Sequence, residues 1–173
     1  MSVRVACVVW AAAVLLPASA AAQSKRALAE LGRLTPPAYA APLVREGDPE
    51  GVSPAFGDGM RAYGRKQYAA AADLLRRFVA AEPEDPAGNF FLAASLMMTD
   101  EVGEAEDRLG VVIGAGQTPF VRAAHFVMAK AAIRQGKLDV AERELTLLAG
   151  GEDHHALDAA GLLPRVRALK KRE

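Results

Sequence analysis

The strongest constraint on this chain is an apolar spacing written three times. Tyr68, Ala71, Leu75, Phe78 and Val79 fall at offsets of zero, three, seven, ten and eleven. Val102, Ala105, Leu109, Val112 and Ile113 repeat those offsets, and so do Leu138, Ala141, Leu145, Leu148 and Ala149. Steps of three and four gather each set on one face of an α-helix, so the pattern predicts one amphipathic helix in three copies. The central alanines lie 34 residues apart from 71 to 105 and 36 apart from 105 to 141. Self-similarity at such a period signals stacked units, none of which can bury its apolar face alone.

Each copy has an upstream partner that is apolar over a wider arc: Phe56 to Tyr63, Phe90 to Met98, and Phe126 to Ile133. A wide arc predicts contact on more than one side. Small residues take equivalent places on both helices, Gly59, Ala93 and Ala129 on the first and Ala71, Ala105 and Ala141 on the second. Two helices joined by a short turn approach closely only where side chains are small, which predicts hairpins packed at those points.

With these residues in place the chain resembles the tetratricopeptide repeat (TPR) family. The carriers are Gly59, Tyr68, Ala71, Phe78 and Pro83; then Ala93, Ala105 and Leu109; then Ala129, Gln135-Gly136-Lys137-Leu138, Ala141 and Leu145. The resemblance implies an all-α fold of three TPR-like antiparallel helix hairpins (about 54–85, 86–119 and 120–150) stacked as a short right-handed α-solenoid. Residues 151–173 then supply a C-terminal capping helix and basic tail, with Pro164 opening a final short helix. The chain departs from the family at Ala55, at Asp58, and at Lys66, which stands where the turn glycine belongs. Gly110, Gly114 and Gly116 predict that the second helix of the middle repeat stops early.

Residues 1–22 read as an export signal. Arg4 is followed by an apolar run from Val5 to Leu16, then Pro17 and the small residues Ala18 to Ala22, which predicts cleavage after Ala20 or Ala22. Pro17 and Ser19 interrupt the run, so no stable membrane span is expected once the signal is cleaved. The single cysteine, Cys7, lies inside the signal. A mature chain without disulfides points to a periplasmic or secreted location and to stability from its core. Residues 23–53 read as a Pro/Ala-rich linker with a short helix around Ser24 to Leu34, carrying Ala27, Leu28, Leu31 and Leu34 on one face. Lys and Arg (21) balance Asp and Glu (21), which offers no nucleic-acid footprint.

Candidate chemistry is sparse. Val111-Val112-Ile113-Gly114-Ala115-Gly116 looks like a strand entering a dinucleotide turn, but Pro119 occupies the place of the third glycine. Ser24, Ser53 and Ser95 are the serines outside the signal; none sits in a nucleophile elbow, and Ser95 is expected to bond the preceding helical turn. His154 and His155 are adjacent, whereas zinc-binding helices space ligands three or four apart, so Asp153 reads as a helix cap and no metal is assigned. His125 is expected to be packed and satisfied, and Glu104, Glu106 and Asp107 to form a solvated face with Arg108. No catalytic residue and no cofactor are assigned.

What the resemblance implies for function is a non-catalytic, exported scaffold that binds a protein or peptide of the cell envelope. Family ligands lie along the first helices, which here present Phe56, Met60, Tyr63, Phe90, Ala94, Met97, Phe126, Lys130, Ile133 and Arg134 as partner-binding residues. Lys130 and Arg134, one turn apart, suit a carboxylate. Two further expectations stand beside this one. Residues 23–53 or the terminal helix cover that face, or the chain is a structural, self-associating homo-oligomer with no dedicated ligand.

Overall fold

The computed structural model describes residues 20–39 and 53–171, and within these the chain is all-helical. The described helices are α1 (Ala20–Leu31), α2 (Pro54–Gly64), α3 (Tyr68–Ala81), α4 (Pro86–Met98), α5 (Val102–Gly114), α6 (Val121–Arg134), α7 (Leu138–Ala149) and α8 (His154–Lys170). From α2 onward each helix packs mainly on the one before and the one after it, while α1 packs on α6. Among the described residues no helix is long and apolar enough to cross a membrane. The expected export signal lies outside the described residues except for Ala20 to Ala22, and residues 40–52 of the expected linker lie outside them too.

The threefold apolar spacing is borne out in the helices it predicts. α3, α5 and α7 begin at Tyr68, Val102 and Leu138, the first residue of each written copy. Ala71, Ala105 and Ala141 have no exposed surface, and neither do Leu75, Leu109 and Leu145. The small positions on the first helices allow the close approach expected of them. A Cβ at Gly59 would come within 2.8 Å of the Leu75 side chain, so α2 and α3 touch nearly backbone to side chain there. Ala93 and Ala129, in the equivalent places, are fully buried.

The hairpin turns are three copies of one structure, a similarity the sequence conceals. Each pair of helices is joined by three residues: 65–67, 99–101 and 135–137. In each, the middle residue adopts a left-handed backbone, with φ of 61° at Lys66, 68° at Asp100 and 72° at Gly136. The next amide donates back five residues: Gln67 to Ala62 O (3.0 Å), Glu101 to Leu96 O (2.9 Å) and Lys137 to Ala132 O (2.9 Å). This is the Schellman closure of a helix C-terminus, which satisfies carbonyls the helix itself leaves open. Glycine adopts that backbone freely; Lys66 and Asp100 carry its steric cost.

Two expectations about helix ends are corrected. α5 does not stop early; it runs through Gly110 to Gly114, thirteen residues against fourteen in α3 and twelve in α7. Gly110 lies on the exposed side, and buried Leu109 and Val112 hold the helix from the other, so packing overrides the glycine penalty. Pro164 does not open a separate helix, because α8 is continuous from His154 to Lys170 with Pro164 inside it. The carbonyl that loses its partner belongs to exposed Ala160, and fully buried Val166 fixes the helix beyond the proline. Asp153 caps this helix as expected, its carboxylate accepting from the Ala156 amide at 2.9 Å.

Acidic residues of the outer surface join neighbouring elements rather than merely facing water. Arg76 of α3 donates to Glu104 of α5 (2.8 Å) and also pairs with Glu101. Lys137 reaches Glu106 at 2.7 Å, and Arg167 of α8 reaches Glu142 of α7 at 2.7 Å. The expected solvated face with Arg108 therefore needs amendment. Glu104 divides itself between Arg108 on its own helix and Arg76 on the helix pair before it.

Candidate functional site

Of the ten residues expected on the partner-binding face, six are closed off from solvent. Met60, Tyr63, Phe90, Ala94, Met97 and Ile133 are at most 5% exposed, whereas Phe56, Phe126, Lys130 and Arg134 are partly exposed. α4 supplies the clearest case, since every residue from Gly88 to Met97 is buried. A helix buried on all sides has no free face to offer.

Part of the cover is the chain's own N-terminal segment. Residues 33–39 carry no regular secondary structure, yet Leu34 is only 5% exposed. Tyr39 stands edge-on to Phe91 and Phe56, with ring centroids 5.2 and 6.3 Å apart. The Tyr63 hydroxyl donates to Pro37 O at 2.9 Å, and burial raises the phenol's pKa above its ordinary value. Thus the expectation that residues 23–53 cover this face holds for the described portion at 31–39.

Lys130 and Arg134 are occupied in a way the sequence did not indicate. Lys130 Nζ donates to Leu31 O at 2.8 Å, and Arg134 Nε donates to Gly32 O at 3.0 Å. Arg134 also donates to Met97 O at 2.6 Å. Two cations one turn apart thus cap the C-terminal carbonyls of α1, where each favours the helix dipole by about 0.3–1 kcal/mol. Arg134 also pairs with the Asp100 carboxylate at 3.5 Å, so the cations expected to grip a partner's carboxylate are held by groups of the chain itself. Burial lowers the Lys130 pKa; nearby Asp158 opposes that shift while Arg165 and Arg134 add to it.

Beside the cover a cleft of about 840 Å³ remains open. Residues 33–38 form one wall, and α4, α6 and α8 supply the others. Its apolar lining includes Phe90, Phe91, Phe120, Phe126, Val127 and Leu162, with Phe90 and Phe120 stacked at 5.2 Å. Leu157, 75% exposed, stands at its edge. Its charged lining residues are Arg33, which pairs with Glu30 at 3.0 Å, Lys130, and Asp158 and Arg165 of α8. The dimensions and the apolar lining match a peptide or small-ligand site.

The histidines divide into two environments. His125 pairs its Nδ1 with Glu144 of α7 at 2.7 Å, both side chains largely buried, so it is packed and satisfied as expected. His155 lies against Phe126 with centroids 5.4 Å apart, and its ring approaches that of His154 at 3.9 Å. Burial, then the neighbouring His154, lowers the His155 pKa. Among the described residues no three His, Cys, Asp or Glu side chains gather as metal ligands. Ser95 donates to Phe91 O at 2.8 Å, as expected of a hydroxyl inside a helix, and the Val111 to Gly116 stretch lies in α5 and the turn after it rather than in a strand.

Several residues that build the cleft were not found from the sequence. Phe120, Asp158 and Arg165 line it from segments without a repeated pattern, and Tyr39, outside the cleft on Phe56 and Phe91, was not indicated either. Arg122 is another. Its guanidinium pairs with Asp153 and donates to Leu148 O at 3.3 Å, fastening the start of α6 to the junction of α7 and α8. Comparison of the chain with protein-family models, with curated proteins and with solved structures finds no match.

Proposed function

We propose that this chain is an exported, non-catalytic scaffold of three TPR-like antiparallel hairpins, arranged as a short right-handed solenoid, that binds a protein or peptide of the cell envelope. Support for the repeat reading comes from the three equivalent turns, the fully buried alanines at 71, 105 and 141, and the sequential packing of α2 to α8. The observation that carries the binding reading is the open cleft between residues 33–38, α4, α6 and α8. Aromatic walls recover area from an apolar side chain, and with Arg33 held by Glu30, Lys130 and Arg165 still outnumber Asp158, which favours a peptide of acidic character.

The test uses residues that line the cleft and are already exposed, so that folding is preserved. Leu157→Asp combined with Arg165→Glu reverses both the apolar edge and the charge balance. An envelope protein retained by the wild type and lost by the double variant, then bound directly when purified, is the expected result. Equal recovery by both would remove the cleft as the binding site.

A further inference from the structure

We propose that residues 31–39 are a resident ligand on the face built by α2, α4 and α6, and that this face receives an extended peptide with leucine and tyrosine flanking a proline pair. The inference goes beyond the reading above, since it concerns the covered face beneath residues 31–39 and not the open cleft beside them. Three side-chain donors read main-chain carbonyls of the segment, two where α1 ends, Lys130 at Leu31 (2.8 Å) and Arg134 at Gly32 (3.0 Å), and one in its extended part, Tyr63 at Pro37 (2.9 Å). Carbonyls are common to every sequence, so selectivity falls to the two anchors, buried Leu34 and Tyr39 against Phe56 and Phe91.

The remaining features of the segment suit a docked peptide. Among the described residues, 33–39 make no backbone-to-backbone hydrogen bond with the hairpins, so nothing in the contact set requires covalent continuity. Pro36 and Pro37 lack amide hydrogens and hold an extended backbone in advance, which reduces the ordering cost of docking. Gly32 allows the segment to enter closely, since a Cβ there would meet the Arg134 side chain at 2.5 Å. The chain of packed neighbours from α2 to α8 is complete without these residues. Membership of the same chain gives the resident segment a local concentration on the order of millimolar, which a free peptide of similar chemistry must overcome.

The experiment uses the full chain and a fluorescein-labelled synthetic peptide with the sequence Leu31 to Tyr39. Leu34→Asp with Tyr39→Asp removes both anchors from the resident segment and leaves the receiving face unaltered. Fluorescence anisotropy should show the peptide binding this variant at least ten-fold more tightly than the wild type. The same peptide carrying both aspartates should bind neither. Binding that is equal for the two proteins, or absent from a variant whose circular dichroism is native, would overturn the inference.

Limited trypsin digestion of the unaltered chain gives an answer even where the variant does not fold. Cleavage after exposed Arg33 should precede any cut within α2 to α8; simultaneous cleavage of the two regions would overturn the inference. Peptide failure accompanied by continued capture of an envelope partner through the cleft removes this inference and spares the reading above. Peptide binding in the absence of any captured partner supports the inference and counts against that reading.

Discussion

α4 and α5 have the same length and sit next to each other, but they meet their surroundings in different ways. α5 buries Ala105, Leu109 and Val112 and leaves Gly103, Asp107 and Gly110 exposed. α4 buries ten consecutive residues, from Gly88 to Met97. The difference follows from position: α4 packs on α3 and α5 and also touches α2 and α6, while residues 37–39 lie against Tyr63 and Phe91 beside it. One face is enough to anchor α5, whereas α4, the first helix of the middle hairpin, is enclosed.

Charge placement offers the sharpest way to break this contrast. Ala94 is fully buried, so Ala94→Asp should cost about 3–5 kcal/mol, the scale of an uncompensated buried charge. Gly103→Asp, at an exposed site in the first turn of α5, should change stability by no more than about 0.5 kcal/mol. Urea denaturation followed by circular dichroism measures both. Similar losses at the two sites would show that α5 is as enclosed as α4.

A smaller effect of opposite sign comes from a single substitution made on each helix. A Cβ at Gly88 of α4 would lie 2.5 Å from the Phe78 ring, so Gly88→Ala forces the ring aside and should destabilise by about 1–3 kcal/mol. Nothing lies within 4 Å of a Cβ at Gly110 of α5, and Gly110→Ala should stabilise by up to about 1 kcal/mol through helix propensity alone. Thermal or urea midpoints read the sign directly.

The same contrast explains what was legible in the sequence. Helices buried on one face print their burial as spacing, so the starts of α3, α5 and α7 and their buried alanines could be read from Tyr68, Val102 and Leu138 onward. α4 could be recognised as enclosed but not assigned a partner surface, because ten buried residues in a row have no period. The cover at residues 31–39 was hidden for a different reason. Pro36 and Pro37 mark a chain without helical order, and an extended segment carries no pattern that distinguishes docking from solvation. Turn geometry was legible only at Gly136, since the left-handed backbone at Lys66 and Asp100 is imposed by the packing of the hairpins around them.

The turns provide the third test. Lys66→Gly relieves a left-handed residue of its Cβ, offset by the added freedom of the unfolded chain, and should stabilise by about 0.5–1 kcal/mol. Gly136→Ala imposes the same strain where none exists and should destabilise by about 1 kcal/mol. If neither midpoint moves, the three turns are not equivalent in solution.

The smallest effects concern the end of the array, where the first helix of the last hairpin meets α8. His155 titrates below its ordinary value because burial against Phe126 disfavours the imidazolium, so the unfolded chain takes up a proton first as pH falls. Stability should therefore decline once pH drops through about 6.5, the unfolded histidine value, and His155→Phe should flatten that limb. Asp153 behaves in the reverse sense. Arg122 beside it, with the Ala156 amide, holds its carboxyl below the usual carboxylate range, so its contribution is present above about pH 4 and is lost as pH falls through the folded value. Asp153→Asn should lower the midpoint at neutral pH while reducing the acid loss below about pH 4. Urea midpoints between pH 7 and pH 3 separate the two limbs, because the first belongs to a proton that burial excludes and the second to a carboxylate that an arginine retains.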